Sequence, residues 1–305
     1  MRWQSKVSIV HGLLVPTHVD GREEVPNQEA LDLHIQAFRI AEELSCPVMV
    51  CMDGFILTHA YERVDVPAQA EVDAFLPPYV PRQVLDPAEP VSMGALVGPE
   101  AFTEVRYLAH HKQLRALGLI PQVAKEFARA FGRDSGGLAR TYRTEDADTI
   151  VVALGSVNGT VQEVVDEMRG RGQRIGSLSI CSFRPFPLAV VREALRNARR
   201  VVVLEKCFAV GLGGIVSEGV WKALSGIPLK GYTVVAGLGG RAITQASLER
   251  IFERAQRDEL DAVNFMDLNT DIVDAELARE AAKRRSGPTA EAILKRIGTV
   301  ASRIG

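Results

Sequence analysis

The chain has 305 residues, enough for about two domains of ordinary size. Its 36 basic and 38 acidic residues give a formal net charge of −2, and 47% of the residues are hydrophobic. This balance argues against a surface built for nucleic acid or anionic lipid, and no apolar run reaches the ~18 residues of a membrane helix. We expect a cytoplasmic globular protein with neither a nucleic-acid nor a membrane partner.

Four cysteines, Cys46, Cys51, Cys181 and Cys207, are scattered without a CxxC pair. Zinc and iron-sulfur sites need several thiolates or imidazoles that converge, often from short spacings. We therefore predict no metal site and no cluster on this chain. Cys181 and Cys207 fall in apolar, strand-like runs, which predicts that both are buried core thiols.

The first predicted element is a helix over residues 27–44, NQEALDLHIQAFRIAEEL. Asn27 is its predicted N-cap, and Glu29 places an acid in the first turn. Two apolar stripes predict burial on two sides: Leu31, Ile35 and Phe38 form one, and Leu33, Ala37, Ile40 and Leu44 form the other. The following PVMVCM, residues 47–52, predicts a buried strand.

Polar residues follow that strand: Asp53, Gly54, Thr58 and His59. In open parallel sheets, ligands bind beyond the carboxyl ends of strands, so these residues are candidates for a binding site. Asn27 and Gln28 would occupy a similar position if the segment before them is a strand. The alternative is structural: Asp53 caps a turn and His59 packs at an interface, because the two form no recognisable triad or metal set.

The next part of the chain is rich in proline. Residues 75–100 contain six prolines, which predicts a long ordered excursion without regular structure. A helix is predicted over residues 112–131, interrupted at Pro121. Together these elements define a first region, 1–131, and a glycine-rich polar connector follows over 132–148.

Strand and helix then alternate four times over residues 149–256. The predicted strands are TIVVAL, RIGSLSICSF, RRVVVLEKC and KGYTVVAGLGG. Continuous β-branched runs of this kind are typical of strands buried on both faces of a parallel sheet. The pattern predicts a doubly wound α/β domain.

The first of these strands leads into the turn GSVNG, residues 155–159. A dinucleotide site would need GxGxxG here, and only Gly155 and Gly159 are present. We therefore favour a structural use of these glycines, in a tight turn and close packing, over a phosphate site. Thr160 and Glu163 have the spacing of a capping box at the start of the next helix.

Residues 257–305 predict a helical tail of two short amphipathic helices broken at SGP, residues 286–288. Such a tail is expected to dock on a neighbouring subunit rather than to catalyse.

Several segments, in this order, resemble the alpha subunit of pyruvate:ferredoxin oxidoreductase and related 2-oxoacid:acceptor oxidoreductases. They are NQEALDLHIQAFRIAEE, PVMVCMDGFILTH, FLPPY, LDP, GALVGPE, GSVNGTVQEVVDEMRGRG, FRPFP and AGLGGR. The resemblance covers roughly residues 25–255, and its specificity lies in the ordered series rather than in any single motif.

The resemblance implies a fold and a reaction. The fold is part of a thiamine-diphosphate pyrimidine-type domain, followed by a transketolase C-terminal-like domain. The reaction is oxidative decarboxylation of pyruvate or a related 2-oxo acid to acyl-coenzyme A. Thiamine diphosphate and Mg²⁺ would be shared with a beta subunit, iron-sulfur clusters would lie on partner chains, and a ferredoxin-type protein would accept the electrons.

The resemblance also has a gap. Family alpha chains carry a long stretch before the segment that matches NQEALD, with the glutamate that contacts the aminopyrimidine ring, and the first 26 residues here show no such motif. Glu205 and Lys206, in VLEKC, also replace the usual Asp-Arg. We therefore assign no catalytic residue, and we expect this chain to be inactive alone, with the remainder either on a separate polypeptide or lost. A non-catalytic assembly subunit and a stand-alone Rossmann-like nucleotide-binding protein remain the alternatives.

Overall fold

The chain divides into two compact units, residues 1–264 and 265–305, in a computed structural model. The structure describes residues 13–14, 26–54, 57–59, 61–90, 92–94, 96–282 and 289–298.

A pair of long helices forms the core of the first region of unit 1. The elements here are β1 (Leu13–Leu14), α1 (Pro26–Leu44), β2 (Val50–Cys51), α2 (Gln69–Phe75) and α3 (Phe102–Phe131). Helix α1 packs against α3 through a cluster that includes Ile40, Leu44, Val123 and Phe127. The two short strands pair in parallel. Strand β2 also contacts α1, and the chain continues from the end of β2 to Asp53.

Four predictions for this region need correction. Helix α1 begins at Pro26, whose fixed φ and missing N–H suit a first helical residue, so Asn27 lies inside the helix and is not its N-cap. Phe38 is 62% exposed, so the first apolar stripe is only partly covered. The predicted buried strand is two half-buried residues, Val50 and Cys51. Helix α3 starts ten residues earlier than predicted and continues through Pro121, where burial of its neighbours offsets the lost hydrogen bond.

The second region is the predicted doubly wound α/β domain. Its strands are β3 (Ala139–Tyr142), β4 (Thr149–Ala153), β5 (Ile175–Ile180), β6 (Arg200–Glu205), β7 (Lys230–Val235) and β8 (Val263–Phe265), in the spatial order β3-β5-β4-β6-β7-β8. Strands β4 to β7 are parallel. The helices that follow them are α4 (Val157–Gly170), α5 (Leu188–Leu195), α6 (Ile215–Ala223) and α7 (Gln245–Gln256). All four predicted strand-helix units are confirmed.

Three details of this region differ from the prediction. The connector 132–148 is not only a linker, because β3 pairs antiparallel with β5 and extends the sheet. Helix α4 begins at Val157 with Ser156 as its cap, so Thr160 and Glu163 lie inside the helix and form no capping box. The short β8 was not predicted, because three residues are too few to carry a periodic pattern in the sequence.

Unit 2 contains the two predicted tail helices, α8 (Thr270–Ala281) and α9 (Thr289–Ile297). Asn269 caps α8 by accepting a hydrogen bond from the N–H of Ile272 at 3.2 Å. The predicted break at residues 286–288 lies outside the described residues, and docking of the tail on a neighbouring subunit stays a prediction.

Among the described residues, no helix combines the length and the apolarity that a membrane span requires.

Candidate functional site

The carboxyl ends of β4 and β6 mark the point where the strand order of the sheet reverses. Strand β5 lies on one side of β4 and β6 lies on the other, so the connections that follow these strands lead away in opposite directions. In open α/β sheets this arrangement leaves a crevice beyond the strand ends, and ligands bind there. A ligand of this domain is therefore expected between residues 154–156 and residues 205–207.

The carboxylate of Asp53, carried in from the first region, fills this position. Its Oδ2 accepts a hydrogen bond from the backbone N–H of Ser156 at 2.5 Å, and its Oδ1 lies 2.7 Å from Nζ of Lys206. Ser156 stands at the start of α4, where unpaired N–H groups and the helix dipole favour an anion. Lys206 directly follows β6. Asp53 thus bridges the ends of β4 and β6 at the place where the strand order reverses, which is the switch point of the sheet.

Gly155 makes this approach possible. Its φ is +78°, which side chains other than glycine rarely adopt, and a Cβ on it would stand 2.7 Å from Oδ2 of Asp53. The predicted structural use of Gly155, for a tight turn and close packing, is confirmed. The N-terminus of α4 does hold an anion, but the anion is a side chain of the same polypeptide.

Electrostatics favour the charged form of Asp53. Burial alone raises its pKa, but hydrogen bonds from Lys206 and Ser156 and the charge of Lys206 outweigh that effect, so the pKa lies below its ordinary value. Asp53 is therefore a carboxylate at neutral pH, and Lys206 is its counterion.

The turn DGFILTH covers residues 53–59, and three of its other described residues lie outside this contact. Gly54, Thr58 and His59 are exposed, and Thr58 Oγ1 lies 3.1 Å from Nδ1 of His59. Residues 55, 56 and 60 are outside the described part of the chain. The turn thus points one carboxylate inward and presents three of the predicted site residues to the surface.

Asn27 and Gln28 belong to a second cluster at the start of α1. Gln28 accepts a hydrogen bond from the N–H of Asp65 at 2.5 Å and donates to Asp32 at 3.1 Å. The N–H of Asn27 donates to Glu62 at 3.1 Å. Asp32 is fully buried and pairs with Arg133 at 2.8 Å. The predicted site residues are thus divided between two places, and the contacts of Asn27 and Gln28 fasten the segment 62–65 to α1.

Sequence reasoning missed Ser156, Lys206 and Glu205 as partners of the site. Each lies at the end of a predicted strand or just beyond it, and the departure VLEKC was the one signal that drew attention to Glu205 and Lys206. Their roles depend on which strands are neighbours, and periodicity does not reveal strand order.

Glu205 is a buried carboxyl group at the start of α6. It is 0% exposed, its Oε1 accepts a hydrogen bond from the N–H of Ser217 at 2.6 Å, and its Oε2 has no hydrogen-bonding partner among the residues that the structure describes. Burial raises the pKa of Glu205, and the N–H groups of α6 offset that only in part. The folded protein therefore holds the proton of Glu205 more tightly than the unfolded chain does.

We expect Glu205→Gln to stabilise the chain by about 1 kcal/mol at pH 7 and to have little effect below the ordinary glutamate range. Because the folded pKa of Glu205 is raised, the contribution of this residue to stability is greatest below its unfolded pKa and falls as pH rises through its folded pKa. Glutamine keeps the acceptor for Ser217 and removes the buried charge. Urea unfolding of both proteins from pH 4 to 8 measures the difference, and a constant difference across this range contradicts the assignment.

A cavity of about 290 Å³ opens beside the contact of Asp53 with Lys206. Its walls are mostly apolar and include Met52, Leu154, Phe183, Leu204, Ile215 and Val216. Cys51 and Cys207 line the same cavity. The prediction of a buried core thiol is confirmed for Cys181 but wrong for Cys207, which is exposed because β6 ends two residues before it.

Among the residues with described positions, no three His, Cys, Asp or Glu side chains are grouped so that they could hold a metal ion.

Two protein-family models match the chain in series. Residues 25–125 match the thiamine-diphosphate-binding region of pyruvate flavodoxin/ferredoxin oxidoreductases, and residues 147–248 match core domain II of pyruvate:ferredoxin oxidoreductase. The boundary between the matches falls in the connector that contains β3.

Individual relatives agree with the family models. The chain is 42% identical to pyruvate synthase subunit PorA of Methanothermobacter thermautotrophicus over 234 residues, 76% of this chain and 60% of the relative. It is 37% identical to ketoisovalerate oxidoreductase subunit VorA of Pyrococcus horikoshii over 232 residues, 74% of this chain and 58% of the relative. A solved 2-oxoglutarate:ferredoxin oxidoreductase from Magnetococcus marinus aligns with a TM-score of 0.45 at 15% identity, over 71% of this chain and 38% of that one.

The chain thus spans about 60% of the length of a curated relative to which it is 42% identical. The two family models match the first and the second region of the fold, one after the other. The chain belongs to the alpha-subunit family of pyruvate:ferredoxin oxidoreductase and related 2-oxoacid:acceptor oxidoreductases.

Proposed function

We propose that this chain is a subunit of a thiamine-diphosphate-dependent 2-oxoacid oxidoreductase. The enzyme would decarboxylate pyruvate or a related 2-oxo acid and transfer the acyl group to coenzyme A. Thiamine diphosphate and Mg²⁺ would be held together with a beta subunit, and iron-sulfur clusters on partner chains would pass electrons to a ferredoxin-type acceptor. The observation that carries the proposal is the match to both family models in series, over residues 25–125 and 147–248.

The described residues of this chain supply a wall for the cofactor rather than a complete site. The carboxylate of Asp53 is already engaged by Ser156 and Lys206, and Oε1 of Glu205 is engaged by the N–H of Ser217. Within the described ranges no group of side chains offers ligands for Mg²⁺. No catalytic step is therefore assigned to a residue of this chain.

The DGFILTH turn is the part of the chain that best fits such a wall. Asp53 anchors the turn to the sheet, and Gly54, Thr58 and His59 are exposed on its outer side. A surface turn held by a partly buried ion pair is preorganised, so less conformational entropy is lost when a partner or cofactor binds to it. We place the crevice shared with the beta subunit along this outer side.

The test uses the assembled complex. With its partner subunits present, we expect reduction of a low-potential acceptor that requires thiamine diphosphate, coenzyme A and one class of 2-oxo acid. Pyruvate, 2-oxoglutarate, branched-chain and aryl 2-oxo acids are compared as substrates. Because His59 is exposed, His59→Ala should weaken retention of thiamine diphosphate by about tenfold, ~1.4 kcal/mol, without lowering the melting temperature of the isolated chain.

Lys222→Ala, exposed on α6, is the matched control and should change neither quantity. Assembly without turnover would instead identify a non-catalytic assembly subunit. Saturable binding of a nucleotide by the isolated chain would favour the Rossmann-like alternative, which the occupation of the α4 N-terminus by Asp53 argues against.

A further inference from the structure

Two of the four cysteines lie at the same cavity, on segments 156 residues apart in sequence. Cys51 ends β2 in the first region, and Cys207 follows β6 in the second. Both line the cavity of about 290 Å³ beside the switch point. Cys207 is exposed and Cys51 is half-buried, and both are free thiols.

The ion pair of Asp53 with Lys206 brings these two segments together. Lys206 precedes Cys207 in the chain, and its Nζ lies 2.7 Å from Asp53. Cys51 stands two residues before Asp53, and side chains two residues apart in an extended segment point to the same side. Met52 between them is 42% exposed, which agrees with that alternation. Cys51 therefore lies on the same side of its segment as Asp53, which is the side that faces β6.

The other two cysteines have different surroundings. Cys46 is buried in the cluster between α1 and α3, and Cys181 is buried at the end of β5, where burial raises its pKa to about 12. A thiol of this kind is inert, because the thiolate is the reactive form. The chain thus contains two shielded thiols and two at one open cavity.

We propose that Cys51 and Cys207 form a redox-active pair that closes to a disulfide in the presence of a small disulfide oxidant. The thiolate of exposed Cys207 attacks one sulfur of the oxidant, which releases one small thiol and leaves a mixed disulfide. Cys51, once deprotonated, attacks the Cys207 sulfur and releases the second small thiol. Two protein thiols are oxidised and one small disulfide is reduced to two thiols.

Such a bond would fasten the start of the DGFILTH turn to the end of β6 covalently, next to the contact of Asp53 with Lys206. Disulfides that form in a reducing compartment are usually transient and serve catalysis or redox sensing. Because burial raises the pKa of Cys51, the second step should accelerate as pH rises, whereas the buried thiols stay unreactive.

The experiment treats the full chain with glutathione disulfide, blocks remaining thiols in denaturant, and analyses intact mass and peptides. We expect loss of two of the four thiols, no retained glutathione, and a linked pair of peptides that contains residues 51 and 207. In Cys51→Ser, one glutathione should stay on Cys207. In Cys207→Ser, oxidation should be at least tenfold slower.

Two results would overturn the proposal. One is a wild-type chain that keeps glutathione on Cys207 with all three other thiols free. The other is oxidation that involves Cys46 or Cys181 in chains whose melting temperature shows that they are folded. Serine at either exposed or half-buried position removes only a thiol from a cavity wall, so both variants should fold.

Discussion

Replacing Asp53 with alanine lowers the free energy of unfolding by about 3 kcal/mol, because it removes two charge-assisted hydrogen bonds and leaves Lys206 partly buried without its counterion. The N–H of Ser156 also loses its acceptor. Urea unfolding of the isolated chain at pH 7 measures the loss. An unchanged midpoint would mean that the DGFILTH turn is only a surface loop and that its anchoring role is wrong.

Two comparisons separate the ion pair from general damage. In a double-mutant cycle with Lys206→Met, the double variant should lose about 1 to 2 kcal/mol less stability than the sum of the losses of the two single variants, because the residues contact each other. The pKa of Asp53 is lowered in the folded state, so its contribution is present above its ordinary value of 3.8 and is lost as pH falls through the folded pKa. The wild type and Asp53→Ala should therefore converge in stability at strongly acidic pH.

The second large effect is expected at Gly155. Alanine there costs about 3 kcal/mol, for two separable reasons. A non-glycine residue at φ +78° is strained by ~1 to 2 kcal/mol, and the new Cβ would stand 2.7 Å from Oδ2 of Asp53 and push the carboxylate away from Ser156. Thermal and urea unfolding of Gly155→Ala measure the sum.

Gly172 offers a matched control for the strain alone. Its φ is +80°, and a Cβ on it would meet nothing within 4 Å. Gly172→Ala should therefore cost only the ~1 to 2 kcal/mol of backbone strain. In the Asp53→Ala background, the cost of Gly155→Ala should fall to that of Gly172→Ala. If the two glycine variants already cost the same in the wild type, Gly155 does not make room for Asp53.

The sequence by itself was sufficient for the local elements and the class of the second region. Continuous apolar runs such as TIVVA, separated by helices with a repeating apolar face, specify buried parallel strands, because burial on both faces leaves no polar position in the strand. The ordered motifs also identified the family before any contact was known. The sequence was a poorer guide to where the helices begin. Helix α3 extends ten residues further toward the N-terminus than its apolar pattern indicates, because residues 102–108 are exposed.

Only the tertiary structure decided what the site residues do. The sequence marked Asp53 as a residue beyond a strand end, but its partners Ser156 and Lys206 lie 103 and 153 positions away and follow two different strands of the sheet in the second region. Which strand ends meet is set by the spatial order of the sheet, and that order depends on how packed layers fit together rather than on the local pattern of any strand. The local pattern likewise predicted Cys207 to be a core thiol, because the residues before it are apolar. The end of β6 at Glu205 placed it at an open cavity instead.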